Sequence, residues 1–594
     1  MKATRLLIAL MGFSLAGHAP AELPEGYWDL ERAQQILDVT RRLELSPDLG
    51  HLSSAERRAL DELLAAGRIL NDLYEEQLHA QSLSARAALR DIHARSPDAQ
   101  SAALLDLYYL SKGPILTTLD NVREPFLPVA APGPGKNVYP DGLTLDEFDA
   151  FVRAQPAAAA SLLAPRTVVR RASAKQVAAD LARLDEYAAV DALSPGLRSM
   201  LESLPTDNNY LYAIPYALAY APQLAEVRRH LDAAADQLTT ETPDFAAYLR
   251  LRSRELLSSD YEAGNAAWVS GTFGNLNAQL GSYETYDDAL RGVKAFYSAS
   301  IVVRDIEKSR SLESAVAGLQ AIEDSLPYDT HRKVRTNIPV GAYNIVADFG
   351  QARGTNTATI LPNDPDHTRK YGRTILVRNN ILSNPELFAA RAQLFAAAIA
   401  PDFSSHLSID GGFERTLWHE IGHYLGVATT ADGRSLGAAL GPYSDLLEEL
   451  KSDLVSLFAV PALRAIGYHS EESMRSHYAD GIRRTLQSVR PRAEQPYQNM
   501  QLMQFNFFME YGLIEPDAES GLLKIHYERY HATVAELLEQ VLQVQYSGDQ
   551  QLAAEFISRW NYWDDLLHGR YAEKIRAAQK YRRSIVRYAV LQGN

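Results

Sequence analysis

The chain has 594 residues, of which 46% are hydrophobic and 22% charged, the balance of a globular protein and not of a disordered one. That length exceeds what one hydrophobic core usually supports, so two or three domains are expected. A net charge of −15 argues against nucleic acid as a partner, and the absence of cysteine excludes disulfides and a thiol nucleophile.

The first 21 residues read as a cleaved signal peptide: Lys2 and Arg5, an apolar run from Leu6 to Ala16, then Ala19-Pro20-Ala21 as a small-residue cleavage site. The expectation is a periplasmic or secreted protein starting at Glu22. The run is short for a bilayer, and the next most apolar stretch, Leu387 to Ala400, is broken by Arg391, so no membrane span is expected.

Residues 22–130 form an N-terminal helical region, with Leu60, Leu63, Leu64, Leu70 and Leu73 at helical spacing and Ser53-Ser54-Ala55-Glu56 as a helix start. A Pro- and Gly-rich junction, Pro128 to Gly142, follows. Residues 131–385 are mixed. A capped helix starts near Leu143, strands are expected at Arg166–Arg171, Tyr210–Tyr216, Ile338–Asp348, Thr357–Leu361 and Arg373–Arg378, and helices at 174–190 and 222–257. Residues 386–594 read as almost wholly helical, with Lys574 to Arg587 as a solvated amphipathic helix. The fold class is therefore α+β and mostly helical.

The chemistry sits in the helical part, in His419-Glu420-Ile-Gly-His423. Residues four apart on a helix lie about 5–6 Å apart at Cβ, so both imidazoles can reach one ion, and the spacing suits zinc. Glu420, one residue round, can reach a water bound to that ion, the place of a general base. A two-His, one-Glu site needs a third ligand, and Glu449 is the candidate, in Asp445-Leu-Leu-Glu-Glu-Leu-Lys-Ser-Asp453. Asp453 shares its helix face and can accept a hydrogen bond from the far nitrogen of a metal-bound His; Glu448 is a second carboxylate placed to support a ligand.

Tyr283-Glu-Thr-Tyr-Asp287, Leu361-Pro-Asn363, His419-Glu-Ile-Gly-His423 and Leu447-Glu-Glu-x-x-x-Asp453, in this order, resemble the dipeptidyl peptidase III family of zinc metallopeptidases. Tyr139-Pro-Asp-Gly-Leu-Thr and Pro165-Arg-Thr-Val-Val-Arg-Arg171 resemble its bacterial branch. The resemblance covers roughly residues 130 to 510. It implies two lobes and a wide cleft, a helical lobe holding one Zn2+ and a mixed lobe with a small β-structure. It implies His419, His423 and Glu449 as zinc ligands, Glu420 as the catalytic carboxylate and Tyr286 as support for the transition state. Glu284 and Asn363 would grip the free amino terminus of an oligopeptide substrate, from which dipeptides would be removed. Three departures stand out. The two histidines are one residue closer than is usual in the family, Ile360 replaces an asparagine, and the histidine that the family uses is absent from Tyr497 to Gln501, which leaves two readings open, substitution by Tyr497 or loss of that role.

Two other readings stay open on the residues: a catalytically silent periplasmic zinc- and peptide-binding protein, and a zinc aminopeptidase or endopeptidase of another lineage. Nothing in the sequence speaks to oligomeric state.

Overall fold

The structure is a computed structural model and describes residues 23–592, apart from 317, 335–338, 355, 363–364 and 493–494. The leader expected at residues 1–21 and the predicted contact Asn363 lie outside the described residues. No described helix is long and apolar enough to cross a membrane.

The chain divides into two compact units. The smaller comprises the described residues up to Asp38 together with His79–Pro132. It holds the helices Leu30–Asp38, Ser82–Arg95 and Ala99–Ser111 and a short hairpin, Ile115–Thr117 with Arg123–Pro125. Asp98 starts the third helix by accepting the Ser101 N–H at 2.7 Å.

The larger unit takes Val39–Leu78 and Gly133–Asn594, so the N-terminal stretch is divided between the units. Its first long helix, Ser54–Leu78, opens with a reciprocal cap. Ser53 Oγ accepts the Glu56 N–H at 3.1 Å, and the Glu56 carboxylate accepts the Ser53 N–H at 2.9 Å. Ahead of it, Thr40–Leu45 pairs in parallel with Arg583–Tyr588. This corrects the expected terminal helix, which ends at Ala578. Beyond it Ile585, Val586 and Tyr588 are buried, a β-branched and aromatic pattern whose pairing partner is over 500 residues away in sequence.

A five-stranded mixed sheet carries the middle of this unit, in the order Leu276–Ser282, Tyr297–Arg304, Val340–Gly350, Thr374–Arg378, Ala358–Leu361. One face, including Ala278, Leu280, Ala299, Ile301, Ile345 and Phe349, joins the apolar core built with the helices Ser54–Leu78, Ala221–Leu238 and Pro243–Ser258. The alternate residues Gln279, Ser298, Ser300, Thr359 and Arg378 face a cleft, the apolar-in, polar-out alternation of a one-sided sheet.

A second core is almost entirely helical, formed by Ile409–Gly422, Ser444–Phe458, Glu471–Thr485, Pro496–Glu510 and Tyr530–Ser547. The leucine stripe of the second helix is fully buried at 447, 450, 454 and 457. The architecture is thus α+β and mostly helical, with a sheet-bearing core and a helical one.

Candidate metal centre

Two of these helices carry the site. Ile409–Gly422, capped by the Ser408 hydroxyl, ends as His423 keeps right-handed helical backbone angles, so His419 and His423 stay on one face. Their ring centroids are 5.1 Å apart and the planes nearly perpendicular at 88°. Ser444–Phe458 crosses this helix at Gly422, where the backbones nearly touch. A methyl group on Gly422 would lie 2.6 Å from the Ser452 carbonyl oxygen, so only glycine permits the approach.

That approach puts Glu449 Oε2 at 3.1 Å from His419 Nε2 and 3.8 Å from His423 Nε2. One ligand atom from each of His419, His423 and Glu449 lies within 4.8 Å of the other two. The outward nitrogens are committed elsewhere. His419 Nδ1 is 2.8 Å from Asp453 Oδ1, and His423 Nδ1 is 3.0 Å from Glu448 Oε1 and 2.9 Å from Ser452 Oγ. Both rings thereby direct Nε2 toward Glu449, the atom whose lone pair a metal would take in place of a proton.

This arrangement fits a divalent metal. Glu449 Oε2 is buried and has no hydrogen-bond partner, a cost that a cation at the convergence point would remove. Two neutral imidazoles and one carboxylate are the donor set of an open zinc site. The local field also favours a cation: burial opposes charge on His419, but Asp453 and Glu449 outweigh it and raise the ring to about 9. Glu448 likewise resists burial, because Lys451 and His423 hold it down at about 2.

The supporting carboxylates are themselves anchored. Asp453 accepts from Gln504 Nε2 at 2.9 Å and pairs with the fully buried Arg415. Glu448 pairs with Lys451 at 2.9 Å, and the same ammonium donates to the carbonyls of Gly422 and Leu425, tying the two helices together. Sequence reasoning had no role for Lys451, Arg415 or Gln504. Only Lys451 lies inside a motif, and its spacing to Glu448 is the available signal.

The centre opens on a cleft of about 730 Å3 lined by Glu284, Tyr286, Glu420, His423, Glu449 and Tyr497 among others. Glu420 thus faces the cleft, away from the Nδ1 networks. Tyr286 is 81% exposed there, beside Glu284. The segment carrying it is fixed from behind. Asp287 accepts from Tyr74 at 2.9 Å, from Gln351 at 2.8 Å and from Lys136 at 3.2 Å. Tyr497 lies in the first turn of the helix Pro496–Glu510, its ring 6.4 Å from that of His419. Burial raises its phenol, as do Glu449, which it also hydrogen-bonds, and Glu420. Tyr497 therefore lies beside two of the candidate metal ligands, His419 and Glu449. The strand residue Ile360 pairs with Ile375 across the sheet.

The fold is shared with two solved bacterial structures. A dipeptidyl peptidase III from Caldithrix abyssi superposes with a TM-score of 0.78 at 22% identity, over 94% of this chain and 99% of that one. A dipeptidyl-peptidase III from Corallococcus sp. strain EGB gives 0.71 at 23% identity, over 95% and 98%. In sequence the chain is similar to Nudix hydrolase 3 of Arabidopsis thaliana, 25% identical over 567 residues, 89% of this chain and 70% of that protein. No protein-family model matches.

Proposed function

We propose that the protein is a zinc-dependent peptidase that removes dipeptides from the free amino termini of oligopeptides. The observation that carries the reading is the convergence of His419 Nε2, His423 Nε2 and an otherwise unpartnered Glu449 oxygen beside the cleft-facing Glu420. The likeness in fold to two dipeptidyl peptidase III structures supports it.

His419, His423 and Glu449 would hold the zinc, which when bound acidifies water and polarises a carbonyl. Glu420 takes the proton of the attacking water and delivers it to the leaving amine. Tyr286 donates a hydrogen bond to the developing oxyanion. Glu284, on the same cleft wall, pairs with the substrate's α-ammonium and so sets the register from the amino end. Asp453 and Glu448 hold the two imidazoles in the tautomer that leaves Nε2 free. We further propose export, on the leader-like pattern of Lys2 and Arg5, the apolar run Leu6 to Ala16 and Ala19-Pro20-Ala21.

The test is mass spectrometry of the products from an unbiased peptide mixture, with and without chelator, using free and acetylated amino termini. Chelator-sensitive release of dipeptides from free termini alone is expected. Equal cleavage of blocked and free peptides contradicts the exopeptidase mode, and single released residues point to an aminopeptidase.

A further inference from the structure

The cleft has a second charge pole. Its lining includes three arginines, Arg332, Arg373 and Arg378, in a chain whose net charge is −15. Arg378 is spoken for: it is buried and paired with Asp348 at 2.9 Å. The other two guanidiniums have no carboxylate partner among the described residues. Arg373 donates from Nε to the Thr368 hydroxyl at 3.3 Å. The Arg332 Nε is buried without a hydrogen-bond partner.

The Glu323 carboxylate, which meets the Arg332 backbone, already takes three donors. Glu323 accepts the Arg332 backbone N–H at 3.2 Å, the Gly426 N–H at 2.8 Å and the Tyr328 hydroxyl. The backbones of both arginines attach to the turn that follows the histidine helix: the Arg332 N–H through Glu323 to the Gly426 N–H, the Arg373 carbonyl to the Tyr424 hydroxyl at 2.8 Å. The amine-pairing Glu284 lies instead on the segment that carries Tyr286. The cleft lining therefore offers a peptide both carboxylates, Glu284 among them, and two guanidiniums that pair with no carboxylate among the described residues. Guanidiniums left without anions at a wall of this kind match a planar carboxylate, to which arginine donates two parallel bonds.

We propose that Arg332 and Arg373 form a carboxylate-binding subsite of the cleft, so that the preferred substrates are peptides presenting an anion there, either a free C-terminal carboxylate or an acidic side chain. This rests on the peptidase reading. The subsite would act as a ruler for short peptides when the anion is the terminus and as a sequence preference when it is a side chain.

Matched peptides with free amino termini separate the two sources. One arm compares C-terminal acid with C-terminal amide across a length series; the other compares Glu with Gln at successive positions of amidated peptides. The wild-type enzyme is expected to show a KM about tenfold lower for the anionic member at one length or one position, as one charge-assisted contact would give. In the Arg332→Gln/Arg373→Gln variant that ratio is expected to fall to about one. Equal KM values in both arms for the wild type overturn the subsite, as does a ratio that survives in the double variant. If no peptide is hydrolysed, calorimetric binding of the same pairs to the zinc-loaded protein reads the same ratio. In that case the hydrolysis result counts against the peptidase reading alone, and an absent ratio, or no binding, counts against the subsite.

Discussion

His419 Nδ1 lies 2.8 Å from Asp453 Oδ1, and this one hydrogen bond decides that Nε2 faces Glu449. Asp453 also neutralises the fully buried Arg415, so one carboxylate both orients the proposed ligand His419 and compensates a core charge. Asp453→Asn is expected to lower zinc affinity by about 10–100-fold. It also leaves Arg415 unpaired, which costs on the order of 3–5 kcal/mol of stability. Chelator competition and denaturant unfolding of the same variant read the two effects separately. Unchanged zinc affinity would deny Asp453 its orienting role.

Gly422 sets how closely the two helices approach. With the Ser452 oxygen 2.6 Å from where a Cβ would stand, Gly422→Ala must push the Glu449 helix away from the histidines. The expected cost is about 1–3 kcal/mol in stability, as for other overpacked sites, together with weaker metal binding. Thermal unfolding and zinc titration check it; wild-type values for both would show that the crossing is not tight.

The two cleft tyrosines are expected to fail differently. Tyr286→Phe should lower kcat by about 10²–10³-fold with KM little changed, the signature of a lost oxyanion donor. Tyr497 interacts with Glu449, so Tyr497→Phe should alter metal binding as well. Steady-state kinetics with zinc stoichiometry on both variants decides. A full kcat for Tyr286→Phe would transfer the donor role to Tyr497.

These side chains differ in how legible they were. His419, Glu420, His423, Glu448, Glu449 and Asp453 lie in two short local patterns, and helical periodicity alone puts His419 with His423, and Glu449 with Asp453, on one face. Their meeting depends on Gly422, whose importance is invisible until the partner backbone is in place. Strands with turn signals at both ends, such as Thr374–Arg378 and Leu211–Pro215, were readable to within a residue or two. The central strands Leu276–Ser282 and Tyr297–Arg304 were missed, because Ser298, Ser300 and Gln279 interrupt the apolar run with groups that face the cleft. The terminal strand was missed because its basic residues resemble an exposed helix and its partner, Thr40–Leu45, is at the other end of the chain. Helical spacing runs through 222–257 as though it were one helix, but the first ends at Leu238 and Pro243 starts a second.

Glu414 gives a pH dependence away from the metal ligands. Burial raises its carboxyl to about 7, against the lowering effects of the Tyr468 hydroxyl, 2.9 Å away, and of Lys308. A carboxyl raised in the folded state binds more protons there than in the unfolded chain. It therefore stabilises below its ordinary value, and that contribution is lost as pH rises through about 7. Glu414→Gln keeps the acceptor and removes the titration. The variant should gain melting temperature relative to wild type at pH 8 and show little difference at acid pH; a difference independent of pH would contradict this.

The central claim is that Glu449 completes the metal site and Glu420 does chemistry without holding metal. Zinc titration calorimetry on wild type, Glu449→Ala and Glu420→Gln, paired with peptide turnover, tests it directly. The account predicts one tight zinc in wild type and in Glu420→Gln, with turnover abolished in the latter, and loss of tight zinc in Glu449→Ala. Undiminished zinc affinity in Glu449→Ala, or near-normal turnover by Glu420→Gln, would contradict it.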